Sequence, residues 1–248
     1  MADELTVGMF RLGSCQATLF TPDEEISTTK LLNGVVRRWL DRFDADPVII
    51  PATEDIPRED PRMILNSTTG NWRCEIASTR INLFWRRTNT TTAEPTLFEF
   101  YAEATRMLNE YKEFLNARVG RMAAVLNRFV EHATPALFLA RHFCQDRWSA
   151  APLNRPENFE LHAHKRYRLA GEFEVNSWVR SKTGTVSGEQ PHPIVSVEQE
   201  LNTPAEDSDR RRFTAEEIAR FFGECSYVFD SILWLYYPEV GGVESGTS

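Results

Sequence analysis

The sequence has no close-set cysteines, no basic excess and no unbroken apolar run, and each absence removes a class of protein. Its four cysteines, Cys15, Cys74, Cys144 and Cys225, form no CxxC pair. Neither a zinc ribbon nor a disulfide framework follows from that spacing, and reduced thiols in a cytoplasmic protein are expected. A net charge of −8 and a pI near 5.3 exclude a surface that is basic all over and leave room for a local basic patch. The longest apolar-rich stretch, Phe221 to Tyr237, is broken by Gly223, Glu224, Ser226 and Asp230, well short of a membrane span. The opening MADELTVGMF carries acids where an export signal needs a basic region, so no such signal is expected. There is no GxSxG elbow, and SKTGTVSG lacks phosphate-loop spacing. No catalytic residue, cofactor or metal is assigned on these grounds.

What is present is 42% hydrophobic content over 248 residues, enough for one large core or two small ones. The clearest pattern is Arg62 to Arg87, which reads as three successive strands. Trp72, Cys74 and Ile76 alternate with Arg73 and Glu75; Ile81, Leu83 and Trp85 alternate with Asn82, Phe84 and Arg86. One face is expected beneath a helix and the other, with Arg73, Arg86 and Arg87, in water. Before this meander, Thr6 to Phe20 reads as a long bent strand with glycines at 8 and 13, and Pro22 to about Asp44 as a helix. A brief strand and an extended loop fill Pro47 to Pro61.

Leu97 to Leu115 keeps the helical period, while Ala117 to His132 reads as a strand from the alternation at Val125, Asn127 and Phe129. Pro135 to Cys144 is helical, and Phe159 to Val179 pairs with Ile194 to Leu201 across a polar loop, Ser181 to Pro193. Thr214 and Glu217 then form a capping box for an aromatic-rich last helix. The order gives an α+β protein, mostly antiparallel sheet packed against helices. Two similar β-α-β-β-α halves span residues 1–116 and 117–238, followed by a flexible tail at 239–248.

The segments INLFWRR, NRFV, RYRLAGEFEVNS and RFTAEEIARFFGECSYVFDSILW occur together. On these, from about residue 5 to 237, the chain resembles a sporadically distributed family of prokaryotic proteins of similar length. The resemblance implies a duplicated α+β fold without an assigned activity. The family's patchy occurrence fits cargo of mobile elements or antiviral defence islands, and it carries no catalytic residue across.

His142 and Cys144 with His162 and His164 come nearest to a metal set, since alternate residues on strands share a face. On a helix, 142 and 144 share none, so solvated side chains are expected and no metal site is assigned. Cys74 and Cys225 fall on core faces as structural thiols. The basic clusters Arg37-Arg38, Arg86-Arg87, His164-Lys165-Arg166 with Arg168, and Arg210-Arg211-Arg212 are the candidate anion surface, with Trp85 or Tyr167 for stacking. The binding residues singled out are Arg73, Arg86, Arg87, Lys165, Arg166, Arg168 and Lys182. With sixteen Phe, six Trp and no catalytic set, the first expectation is a cytoplasmic adaptor or regulatory subunit. It binds another protein through a sheet edge, an aromatic helix face or the 181–193 loop, and a homo-oligomer is compatible. A nucleic-acid-binding accessory protein is the alternative, and an enzyme built around His162 and His164 the third.

Overall fold

The computed structural model describes residues 5–21, 27–51, 56–88, 93–145, 155–186 and 191–239. The expected helix start at 22–26, the loop residues 187–190 and the tail beyond 239 lie outside the described residues. A 3-10 turn, Val7–Met9, leads into β1 (Arg11–Phe20). Then come α1 (Thr28–Leu31), running on into a π-helical turn at Leu32–Val36, and β2 (Val48–Ile49). The meander is β3 (Met63–Asn66), β4 (Trp72–Ile76) and β5 (Arg80–Arg86), followed by α2 (Leu97–Leu115). The second stretch runs β6 (Arg121–Glu131), α3 (Pro135–Phe143), β7 (Glu160–Leu169), β8 (Phe173–Val186), β9 (His192–Asn202) and α4 (Ala215–Tyr236).

All nine strands join one antiparallel sheet in the order β2-β3-β4-β5-β1-β6-β9-β8-β7. The centre is the β1–β6 pair, and on each side the chain leaves it through a helix, reaches the sheet edge and steps back strand by strand. This is the α+β, mostly antiparallel class that the patterning gives. β1 and β6 also answer each other in register: Arg11 lies opposite Phe129, and Phe20 opposite Arg121. A register shift between Leu12 and Ser14 places a bulge at Gly13, where a Cβ would sit 3.0 Å from Asn127 Oδ1.

The core lies on one face of this sheet. Cys15, Ala17, Leu19, Cys74, Leu83, Trp85, Ala124, Leu126 and Val175 point into it and meet α1, α2 and α4. A smaller cluster packs Phe138 and Leu139 of α3 on Val179, Val195 and Val197. Tyr101 of α2 stacks between Phe222 and Phe229 of α4, with centroids 5.8 and 6.1 Å away, so both stretches share one core. Trp72 stacks on Phe100 at 5.5 Å and Trp85 is buried, so both tryptophans of the meander serve packing. Capping boxes open both long helices, Thr96 with Glu99 and Thr214 with Glu217.

Several local expectations are corrected or refined. The first segment is a 3-10 turn before a shorter strand, and the first helix is regular α over Thr28–Leu31, π over Leu32–Val36 and α again at Arg37 and Arg38. In β6 the core side is Met122, Ala124, Leu126 and Val130, and Val125, Asn127 and Phe129 face the other way, half-buried because the strand is central. Finally, Phe159 to Val179 is two strands, because Ala170 and Gly171 both take positive φ, 50° and 73°, and reverse the chain there. Ser181 to Val186 then continues as strand, so Lys182 stands in the sheet instead of a loop.

Candidate functional site

The α-helices α1 to α4 pack on the core face, which leaves the opposite face of the sheet without an α-helix among the described residues; a 3-10 turn, Ala205–Asp207, reaches its rim where Glu206 meets Arg166 at 2.9 Å. Strand register lays its side chains in rows. One row runs Arg73, Phe84, Gln16, Val125, Glu200, Trp178, His164 across seven strands. The next runs Arg86, Ser14, Asn127, Glu198, Arg180, His162, and at one end of β1 Phe20 sits between Arg80 and Arg121. By register this open face carries the cations Arg11, Arg73, Arg80, Arg86, Arg121, Arg166, Arg168, Arg180 and Lys182. Its carboxylates are Glu75, Glu131, Glu160, Glu174, Glu198 and Glu200.

Of these acids, all but the exposed Glu131, at the end of β6, are engaged. Arg73 pairs with Glu75 at 2.7 Å, Arg166 with Glu174 at 2.8 Å, and Arg180 with Glu198 and Glu200 at 2.6 and 3.1 Å. Glu160 lies 3.4 Å from His162. Arg11, Arg80, Arg86, Arg121, Arg168 and Lys182 have no carboxylate partner among the described residues. Arg86 donates to the Gly70 carbonyl at 3.1 Å, and the Arg80 Nε is buried with no hydrogen bond. Arg121 donates to the Thr203 carbonyl and Asn202 Oδ1, and its guanidinium lies 4.5 Å above the Phe20 ring. Burial lowers its pKa against the raising fields of Glu200 and Glu206, and a guanidinium so placed stays charged.

Phe20, Phe84, Phe129 and Trp178 are half-buried between these cations. Trp178 stacks on His164 at 4.1 Å and has the Arg180 guanidinium 5.0 Å from its ring. Amides fill the middle: Thr18 donates to Asn82 Oδ1 at 2.9 Å, Gln16 to Thr18 at 2.9 Å, and Asn176 to Asn202 Oδ1 at 3.3 Å. Chemically, the face offers unpaired guanidinium groups, flat rings and switchable amide donors and acceptors side by side.

Of the residues the sequence singles out, Arg73, Arg86, Arg166, Arg168 and Lys182 stand on this face. Arg87 does not: one position past Arg86 it takes the core-side parity, donates to the Leu12 carbonyl at 2.9 Å and pairs with Glu94 beside α2. Lys165 also turns to the helix side, opposite Ser177, with its ammonium 5.6 Å from the Tyr167 ring. Arg211 and Arg212 line a separate mixed-charge recess with Arg168, Glu172 and Glu217, and Arg211 pairs with Asp207 at 3.1 Å.

The histidines do not converge. His142 of α3 lies 2.6 Å from the Tyr236 carbonyl on the helix side, whereas His162 and His164 are on the open face, and no cluster among the described residues fits a metal. Burial raises the thiol pKa of Cys15, Cys74 and Cys225, which suits packing and not nucleophilic attack. Among the described residues no helix is long and apolar enough to cross a membrane. On α4, Tyr227, Trp234 and Leu235 are exposed.

Sequence reasoning misses Arg11, Arg80, Arg121, Phe20 and Phe129. Each is an isolated residue, and only the strand order brings them together. No protein-family model and no curated protein matches the chain. Among solved structures, Methanococcus jannaschii TBP is similar over 87% of this chain and 98% of that one, at 11% identity and a TM-score of 0.27, a likeness too distant to carry an inference.

Proposed function

We propose that the chain is a nucleic-acid-binding protein whose open sheet face holds a single strand. The observation that supports this most is the set of arginines without carboxylate partners, Arg11, Arg80, Arg86 and Arg121, interleaved with half-buried Phe20, Phe84 and Phe129 at the centre of the sheet. Guanidinium groups bind phosphates and release counterions; rings stack bases without demanding a sequence; the half-buried amides of Gln16, Asn127 and Asn176 supply hydrogen bonds to base edges. The overall charge of −8 does not oppose this, because all but one of the acids on this face are already paired and the contact is local.

Fluorescence anisotropy with mixed-sequence single-stranded RNA and DNA tests it. The expected outcome is binding that weakens with salt at a log–log slope of roughly −0.7 per phosphate contacted, so about −3 for four arginines. Replacing all four with alanine removes that slope, and Phe84→Ala weakens binding by about tenfold while leaving the slope alone, as loss of one stacked base requires. If no single strand of either kind is bound at low salt, the reading fails.

A further inference from the structure

The two ends of the sheet are built differently. β2 ends it with two residues, whereas β7 ends it with ten, and its outer N–H and C=O groups pair with no strand among the described residues. Long unpaired edges invite pairing with another chain, and proteins blunt them with shortness, proline, bulges or charged side chains. β2 is short. β7 has neither proline nor bulge, and its ten-residue pairing with β8 is uninterrupted.

Its charges are arranged by end. On the open face it carries Glu160, His162, His164, Arg166 and Arg168 in succession, acidic at the start and basic at the finish. A strand of that kind is complementary to itself reversed. We infer that β7 is the seam of a symmetric homodimer, in which the edge strands of two copies pair antiparallel about His164. That register sets Glu160 of each copy opposite Arg168 of the other, and His162 opposite Arg166. Sliding toward the C-terminal end, to centre on Arg166, places cation on cation. Sliding the other way, to centre on Ala163, sets Glu160 against Arg166, which already holds Glu174 and Glu206 at 2.8 and 2.9 Å, and leaves Arg168 unsatisfied. Arg168 is the cation with no carboxylate partner among the described residues, so the His164 register is the one that uses it.

On the helix side the same register sets Leu161 against Tyr167 of the other copy and Ala163 against its Lys165, an exposed side chain whose ammonium stays in water at the rim. Beside it a recess of about 200 Å³ between β7 and α4, lined by Ala163, Tyr167, Ile232 and the exposed Leu235, takes further apolar surface from the partner. The contact is isologous, so it closes at two copies and does not propagate. It joins two open faces into one, and it is independent of the nucleic-acid reading, because Arg11, Arg80, Arg86 and Arg121 lie on β1, β5 and β6.

The test is sedimentation equilibrium on the full chain without nucleic acid. A dimer is expected. Glu160→Arg and Arg168→Glu each place like charges at both ends of the seam and weaken association by roughly tenfold or more. An equimolar mixture of the two variants restores it, since the heterodimer regains both opposite-charge pairs; that rescue also proves both variants folded. The proposal is overturned if the parent chain is monomeric, if either variant associates as the parent does, or if the mixture stays monomeric.

Discussion

Gly120 fixes where β6 begins. Its N–H donates to the Phe20 carbonyl at 3.1 Å, and a Cβ placed there would lie 2.1 Å from the Ser208 carbonyl oxygen and 2.9 Å from its carbonyl carbon. Both are backbone atoms of a segment that Arg118 also holds, through the Ser208 and Arg211 carbonyls at 3.4 Å. Neither side can give cheaply. Gly34 presents a contrast, because its added methyl would meet only the ring of Phe114, a side chain 38% exposed that can swing away. Gly120→Ala is therefore expected to cost about 1–3 kcal/mol through overpacking, and Gly34→Ala much less. Urea unfolding checks this as a lower midpoint at unchanged slope for Gly120→Ala, against a near-parental midpoint for Gly34→Ala. The sequence holds the glycine but not the reason for it, since Ser208 is distant in the chain.

At the scale of elements, what was legible is what local chemistry decides. The boundaries of α2 and α4 follow from Thr–x–x–Glu boxes and a helical period, and the β3–β5 meander follows from alternation that matches its pleat. The β7–β8 turn was not legible, because Ala170 is an unusual residue for positive φ, and the π-helical turn after α1 has no residue code of its own. The open face was half legible: Arg73 and Arg86 could be placed by parity, but the central strand β6 is flanked by strands on both edges, so its open-face side chains are half-buried too and its alternation does not announce which face is the core.

The caps also set how these helices respond to acid. In α2 the Thr96 backbone N–H and hydroxyl hold the Glu99 carboxyl below its ordinary range, and Arg106, with Arg42, does the same for Glu103. A depressed folded pKa means that this contribution is present above the unfolded carboxylate pKa and lost as pH falls through the folded one. The first two turns of α2 are expected to lose hydrogen-exchange protection on the acid side of the carboxylate range. Glu99→Gln should flatten that dependence at the first turn. Protection that is unchanged down to strongly acid pH, or unchanged in its pH profile by the substitution, would show that the cap does not hold the helix.

The whole molecule poses a question about folding units. Chain order suggests a break near residue 117, between α2 and β6. Packing argues otherwise. β1 and β6 pair along nearly their full length, Cys15 opposite Leu126 and Ala17 opposite Ala124, so cutting the chain there exposes two long central edges. Tyr101 would lose both Phe222 and Phe229, and the α2–α4 contact that buries it. Burial of such aromatic side chains contributes on the order of 2 kcal/mol each, and a domain's net stability is only about 5–15 kcal/mol, so few such losses are survivable. Residues 1–116 alone and 117–239 alone are therefore expected to be unfolded or aggregated, whereas coexpression yields a complex with the parental far-UV spectrum. In the intact chain, circular dichroism and tryptophan fluorescence should give coincident unfolding transitions. Two separated transitions, or a native-like spectrum for either fragment alone, would mean that the halves fold as independent domains despite the shared sheet.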